Sequence, residues 1–213
     1  MLAYIVIVAA AYFLGSIPTG YVVARVKGID IRTVGSGNIG ATNVFRILGK
    51  PAGIFVLAVD GLKGYAACAW LCDALLPSLG VAGADTELYR ILAGMAAVLG
   101  HNYTCWLKFK GGKGIATSAG VYFALAPLAA GIAVTAFVLA VLLTRYVSVG
   151  SISAAIALAA AIWCLPNINL VLRILTTAIA LMAIYKHRSN IKRLMTGTES
   201  RLGKRPEVQE GVK

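Results

Sequence analysis

The chain has 213 residues, 59% of them hydrophobic, with a mean hydropathy of +0.82. Only 13% are charged, about half the share of a soluble domain. That excludes an ordinary soluble enzyme and points to an all-α integral membrane protein with several helical spans. The net charge of +12 suits nucleic acid, anionic lipid or a phosphorylated substrate. The basic residues stand at the ends of apolar runs, which argues against a nucleic-acid groove.

The first apolar segment, 1–24, begins at Met1 without a basic region, so it reads as a first span and not a cleaved signal peptide. Arg25, Lys27 and Arg32 follow, and then the stretch "VGSGNIGATN" at 34–43, with Arg46 and Lys50 behind it. Successive backbone N–H groups in a glycine-rich turn make a concave anion site, and a following helix N-terminus adds partial positive charge. Gly35, Gly37 and Gly40 let backbone approach a ligand. Ser36, Asn38, Thr42 and Asn43 supply hydrogen bonds, and Arg46 can grip a phosphate with two N–H groups. The plain alternative is a flexible loop.

The second segment, 51–80, carries Asp60 and Lys63 at i and i+3. Ionisable residues inside a span usually pair within the bundle, so this reads first as a structural pair and second as a substrate contact. Asp73 lies near the end of that span. The third segment, 86–107, places His101 and Cys105 at i and i+4 on one helix face, a spacing open to an acyl-enzyme or to simple packing. None of Cys68, Cys72, Cys105 and Cys164 has metal-finger spacing or belongs to a disulfide framework; no metal or cofactor is expected.

Next comes "KFKGGKGIATS", 108–118. Gly111, Gly112 and Gly114 open a helix with Lys113 among them and Thr117 just inside it. A Walker A loop needs Gly at 107 and Ser or Thr at 114, where this chain has Leu107 and Gly114, so phosphate binding without triphosphatase chemistry is expected. The alternative is a set of snorkelling lysines at a span end. The fourth segment, 114–126, gives about 20 Å of helix against a hydrocarbon core of about 30 Å, and Pro127 separates it from the fifth, 128–144. A short helix that starts below the membrane surface needs buried or cavity-lining backbone before it. The sixth and seventh segments are 147–165 and 168–185, the latter holding Arg173 without an evident partner. In "YKHRSNIKRLMTGTE", 185–199, His187 and Asn190 are three apart, and Ile191 and Leu194 continue their face. An amphipathic helix lying on headgroups would show the same pattern.

With seven crossings, nearly all the basic clusters fall on one side; with six, the basic C-terminal cluster would move to the other. The positive-inside rule therefore predicts seven transmembrane helices, N-terminus outside and C-terminus cytoplasmic, with a short fourth helix. Residues 1–200 would form one membrane domain and 201–213 a basic, flexible cytoplasmic tail. The three unusual stretches then converge on the cytoplasmic face. Their only carboxylates nearby are Asp30 and Glu199. Neither histidine begins a His-x4-Asp acyltransferase box, because Trp106 and Lys192 stand at the sites of the aspartate.

Together "GSGNIGATN", "KGGKGIAT" and "HRSNIKRLMTGTE", with "GSIPTG" and "RYVS" at 145–148, resemble the bacterial membrane family of acyl-phosphate:glycerol-3-phosphate acyltransferases. The likeness runs over nearly the whole chain up to about residue 200. It implies a seven-helix enzyme of the bacterial plasma membrane (inner membrane in a two-membrane cell) that makes lysophosphatidic acid and phosphate, the first step of phospholipid synthesis. It implies acyl phosphate as donor, not acyl-CoA or acyl carrier protein. The family's partner would be the soluble enzyme that forms acyl phosphate. Carried onto matching positions, Ser36, Thr42, Arg46, Lys113, Ser148, His187 and Asn190 are site residues. With the glycine loops added, the expected phosphate- and glycerol-binding set is Ser36, Gly37, Asn38, Gly40, Thr42, Asn43, Arg46, Gly111, Gly112, Lys113, Gly114, Thr117 and Ser148, with His187 and Asn190 as catalytic residues. Direct attack by the glycerol 1-hydroxyl is expected, the proton going either to His187 or to a substrate phosphate oxygen. The rival from another class, a transporter for organic phosphate, predicts repeats of related topology in the two halves, and none is visible. A purely structural membrane protein would leave the converging Gly/Ser/Asn/Lys set unexplained.

Overall fold

The computed structural model describes residues 1–81 and 86–203, and the described residues are helical, with no strand among them. In chain order the α-helices are α1 (Leu2–Ser16), α2 (Thr19–Val26), α3 (Ala41–Leu48), α4 (Lys50–Cys68), α5 (Trp70–Leu75), α6 (Thr86–Asn102), α7 (Ile115–Leu125), α8 (Pro127–Thr144), α9 (Val147–Cys164), α10 (Leu170–Lys186) and α11 (Arg188–Met195). Each of the seven apolar segments thus carries a helix. Four stretches are long and apolar enough to cross a membrane: Leu2–Val26, Lys50–Leu75, Pro127–Thr144 and Val147–Cys164. The pair α10 and α11, bent by 50°, makes a fifth if counted as one.

The short helix α7 is separate from α8. The chain breaks at Ala126 (φ −151°, ψ 71°), and Pro127 opens α8, where its missing N–H costs no hydrogen bond. One segment differs from expectation. α6 stops at Asn102, and Cys105–Leu107 is a separate 3-10 turn. His101 and Cys105 therefore do not lie on one helix face, and no hydrogen bond joins them.

Packing brings α1 against α6, α4 against α7 and α3, and α9 against α8 and α10. The α4/α7 contact is set by glycines. A Cβ on Gly64 or on Gly120 would overlap the facing backbone of the other helix, so these glycines set how near the two axes come. The main apolar core gathers Val98, Val121, Tyr122, Leu158, Ile162 and Ile179 from α6, α7, α9 and α10.

Two ion pairs lie within the apolar segments among the described residues. Lys63 Nζ lies 2.8 Å from Asp60 Oδ1 and donates to the Ile17 carbonyl at 2.9 Å. Thr19 Oγ1 donates to the same Asp60 oxygen at 3.0 Å. This ties α4 to the break between α1 and α2. Arg90 pairs with Asp73. Arg173, without an evident partner in the sequence, donates to the Leu165 carbonyl at 3.1 Å and lies over the Trp163 ring.

Candidate active site

At one end of the bundle the loop 27–40, the loop 103–114 and the α10–α11 bend meet around a polar cavity of about 120 Å³. Ser36, Asn38, Gly40, Thr42, Asn43, Arg46, Lys113, Gly114, Ser148, His187 and Asn190 all line it. Residues more than 150 positions apart in the sequence are thereby brought together, as the convergence of the three stretches predicted.

The first loop is organised by one side chain. Buried Asn43 accepts from the Ser36 N–H at 2.9 Å and donates to the carbonyls of Ile31 and Val34 at 3.2 and 3.1 Å. Asn38 accepts from the Gly40 N–H at 2.8 Å. Gly37 does not line the cavity; its N–H closes a turn onto the Val34 carbonyl at 3.0 Å. The amides of Ser36, Gly37 and Gly40 are thus already bonded within the loop. What faces the cavity is the Ser36 and Thr42 side chains and the Arg46 guanidinium.

The second loop differs from its expected role. Gly111 N–H donates to the Asn102 carbonyl at 3.2 Å and Gly112 N–H to the His101 carbonyl at 3.0 Å. A Cβ on either residue would overlap the end of α6. These two glycines pack the loop onto α6, their amides are taken, and neither lines the cavity. Thr117 is likewise removed: it is buried against Gly64 of α4 and not in the cavity wall. The loop's direct contribution is Lys113, with Gly114 beside it.

Lys113 Nζ donates to Asn190 Oδ1. Asn190 Nδ2 donates in turn to Glu199 Oε1 at 2.7 Å, Ser148 Oγ to the same oxygen at 2.8 Å, and Arg193 Nε to Oε2 at 2.7 Å. Glu199 is the hub that the sequence marked only as one of two acids near the motifs. Burial works to raise its carboxyl, but the hydrogen bonds from Asn190, Arg193 and Ser148 outweigh it and hold the group below the ordinary glutamate value. Burial draws the Lys113 ammonium down to about 8, opposed by Glu199 and reinforced by Arg193, Arg46 and Lys186. His187 sits in the bend past the end of α10. Its Nδ1 is 2.8 Å from the Ala183 carbonyl. A carbonyl only accepts, so Nδ1 carries the proton and Nε2 keeps a lone pair. Burial first, then the Lys113 charge, lowers His187 to about 4, so the imidazole is neutral near pH 7.

Residues 199–203 lie across this end of the bundle. Arg46 donates to the Ser200 carbonyl at 3.2 Å, Leu202 N–H to the Arg145 carbonyl at 2.7 Å, and Arg201 to the Tyr146 hydroxyl at 3.1 Å. Arg201 and Leu202, expected to begin the tail, are therefore bonded to the α8–α9 turn; the rest of the expected tail, 204–213, lies outside the described residues.

Next to the polar cavity runs an apolar groove of about 590 Å³ between α4, α7, α8, α9 and α10. Leu57, Ile115, Ala116 and Phe137 belong to both walls, so polar cavity and apolar groove adjoin. From that junction the groove follows α4 as far as Tyr65, α7 to Phe123 and α8 to Ala130. Four polar groups of the wall lie outside the expected site set. These are Glu199, Ser151 on α9 and, deeper in the bundle, His101 and Asp60, the last of which the sequence offered as a substrate contact only in second place.

Comparison with known proteins agrees with this architecture. The family model described as glycerol-3-phosphate acyltransferase matches residues 5–197. A glycerol-3-phosphate acyltransferase of Geobacter metallireducens is 50% identical over 202 residues, covering 94% of this chain and 98% of its own. One from Geotalea daltonii is 44% identical over 200 residues, covering 94% and 98%. Two crystal structures of PlsY (YgiH), an integral membrane glycerol 3-phosphate acyltransferase, superpose at 40% identity. Its glycerol 3-phosphate form gives a TM-score of 0.83 over 94% of this chain and 96% of the other. Its lysophosphatidic acid form gives 0.80 over 94% and 95%. With several apolar helices and an integral membrane neighbour of this similarity, the chain is membrane-embedded and multi-pass.

Proposed function

The chain belongs to the glycerol-3-phosphate acyltransferase family, and from that premise we propose that it transfers a fatty acyl group from acyl phosphate to the 1-hydroxyl of glycerol 3-phosphate, giving lysophosphatidic acid and phosphate. The observation that carries the donor and the geometry is the junction of a cation-lined polar cavity with a long apolar groove. An acyl phosphate has one part for each. Its chain suits a groove within the volume range of small-molecule sites, and its anionic head suits Arg46 and Lys113.

The step is direct acyl transfer. The 1-hydroxyl oxygen attacks the acyl carbonyl carbon at the junction, a tetrahedral oxyanion forms, and the carbon–oxygen bond to phosphate breaks. Phosphate leaves with the electron pair, next to Arg46 and Lys113. Acyl phosphate is a mixed anhydride with a good leaving group, so positioning and charge stabilisation carry most of the catalysis. His187, neutral and with Nε2 unprotonated, is suited to take the hydroxyl proton. A substrate phosphate oxygen is the other acceptor. Asn190, held between Lys113 and Glu199, orients the hydroxyl. Cys105, on a turn apart from α6, has no place in the sequence of bonds.

The same reading includes seven crossings, N-terminus outside and C-terminus cytoplasmic, supported by the basic residues at one end of the bundle. It places the site on the cytoplasmic side of the bacterial plasma membrane (the inner of two), where a soluble acyl-phosphate-forming enzyme can deliver donor. It treats residues 1–200 as one domain. The organic-phosphate transporter loses its standing to the family match.

The test is phosphate release by purified protein in detergent, given palmitoyl phosphate with and without glycerol 3-phosphate, and palmitoyl-CoA as control donor. Release that depends on glycerol 3-phosphate, with lysophosphatidic acid in equal amount and Cys105→Ser at wild-type rate, is expected. Turnover with palmitoyl-CoA alone would sink the donor assignment. Near-normal turnover by His187→Gln would leave the proton to the substrate phosphate.

A further inference from the structure

The mechanism above leaves two buried ionisable side chains of the cavity wall without a role. Asp60 and His101 stand on α4 and α6, inside the bundle, with His101 packed against Gly112 of the loop that carries Lys113. Asp60 is 2% exposed and His101 5%. Thr19 and Lys63 both bond Asp60 Oδ1. A carboxylate has about four acceptor sites over its two oxygens, and no described residue bonds Oδ2. His101 Nδ1 is buried without any hydrogen-bond partner. It lies 3.7 Å from Asp60 Oδ1, too far for a direct hydrogen bond. Orphaned buried polar atoms are rare and call for an occupant.

We propose that Asp60 and His101 together bind the 2-hydroxyl of the glycerol unit and so fix which way the acceptor lies in the site. A hydroxyl both donates and accepts, which matches a carboxylate and a ring N–H set side by side. Charge gives the same orientation. The acceptor's phosphate is drawn to the cationic end of the cavity, where it shares Arg46 and Lys113 with the donor's phosphate, and is repelled by the Asp60 carboxylate. The 1-hydroxyl must meet the acyl carbonyl at Leu57, Ile115, Ala116 and Phe137. The 2-hydroxyl is then left for the remaining polar wall. Asp60 and His101 are binding and specificity residues in this scheme, and Lys63 is a positioning residue that holds the Asp60 carboxyl in place. The inference rests on the reaction proposed above.

The experiment compares acceptors in purified full-length protein. Palmitoyl phosphate is the donor, and the acceptors are glycerol 3-phosphate and 3-hydroxypropyl phosphate, which lacks only the 2-hydroxyl. Wild type is expected to favour glycerol 3-phosphate in kcat/KM by about tenfold or more, because the analogue leaves buried polar groups unpaired. Asp60→Asn and His101→Gln are expected to lose most of that preference, through KM for the acceptor, with KM for palmitoyl phosphate unchanged. If the variants slow both acceptors in parallel and keep the wild-type ratio, the pair holds only a structural water and the proposal is overturned. Should the variants fail to fold, as unpairing Lys63 or leaving a buried gap would allow, the wild-type ratio decides alone. A ratio near one overturns the proposal while lysophosphatidic acid formation keeps the reaction itself standing. Wild type that makes no lysophosphatidic acid overturns both.

Discussion

The two glycine-rich loops share composition and differ in how they are held. Loop 34–43 is stapled by a single side chain, Asn43, and its glycines sit in turns, Gly35 at φ +59° and Gly37 at φ +68°, that other residues adopt only with strain. Loop 108–114 is stapled by its own backbone to the end of α6, and Gly111 and Gly112 are there because no side chain fits. The first therefore shapes a wall and presents Ser36, Thr42 and Arg46. The second acts as a rigid bracket that delivers one ammonium group. Glycine enrichment near a candidate phosphate site need not mean that glycine amides would hold the phosphate.

The contrast can be tested, and the largest effect should come from the cations that the two loops serve. Arg46→Ala should lower kcat/KM for glycerol 3-phosphate by a hundredfold or more, on the order of what one transition-state charge contact contributes, without loss of thermal stability. Equal loss in Lys108→Ala would mean that any nearby cation serves, and the bracket idea would fail. Gly112→Ala comes next. Its Cβ overlaps the His101 ring, so stability should fall by about 1–3 kcal/mol, with activity falling because Lys113 moves. A Gly112→Ala protein with unchanged Tm and a raised KM would make the second loop an anion cradle like the one first expected. Asn43→Ala should cost about 1–3 kcal/mol by leaving buried loop amides and carbonyls unpaired, and partial rescue by Asn43→Asp, which keeps the acceptor for Ser36, would separate the two halves of the staple.

The smallest effect is a pH shift. With Lys113 at about 8 and His187 at about 4, both are in their working forms between those values: the lysine charged, the histidine neutral. Activity should decline above about pH 8 as Lys113 loses its proton. Lys113→Arg, which stays charged, should lack that alkaline limb at whatever rate it retains. Comparing the two profiles on one substrate cancels the substrate's own titration. An alkaline limb unchanged in Lys113→Arg would assign it elsewhere.

Much of this site was readable in the chain because hydropathy and charge mark apolar segments and their ends. All seven segments are helical, Pro127 divides α7 from α8, and Arg46, Lys113, Ser148, His187 and Asn190 meet in one cavity. What escaped depended on contacts between distant segments. The amides of Gly111 and Gly112 are taken by a helix end, which no spacing within the loop reveals. His101 seemed to face Cys105 because nothing in the local pattern marks Asn102 as the end of α6; its real neighbour is Asp60, from another helix. Asp60 did carry a signal, a charge within an apolar span, but pairing with Lys63 was sufficient to explain it. Glu199 stood among many polar residues, and only the folded chain shows three donors converging on it.

Glu199 comes after every described helix in chain order, yet it anchors Ser148 of α9, Asn190 of α11 and, through Asn190, Lys113. The proposed site thus has an order of assembly built into it. While the chain is being synthesised and threaded into the bilayer, the segments up to α10 can take their places with the cavity still lacking its hub. An unfinished nascent chain would hold Arg46 and Lys113 without the carboxylate that balances them. Completion of the charge network thereby waits for residue 199, and a chain truncated before it would lack the carboxylate that Ser148, Asn190 and Arg193 bond.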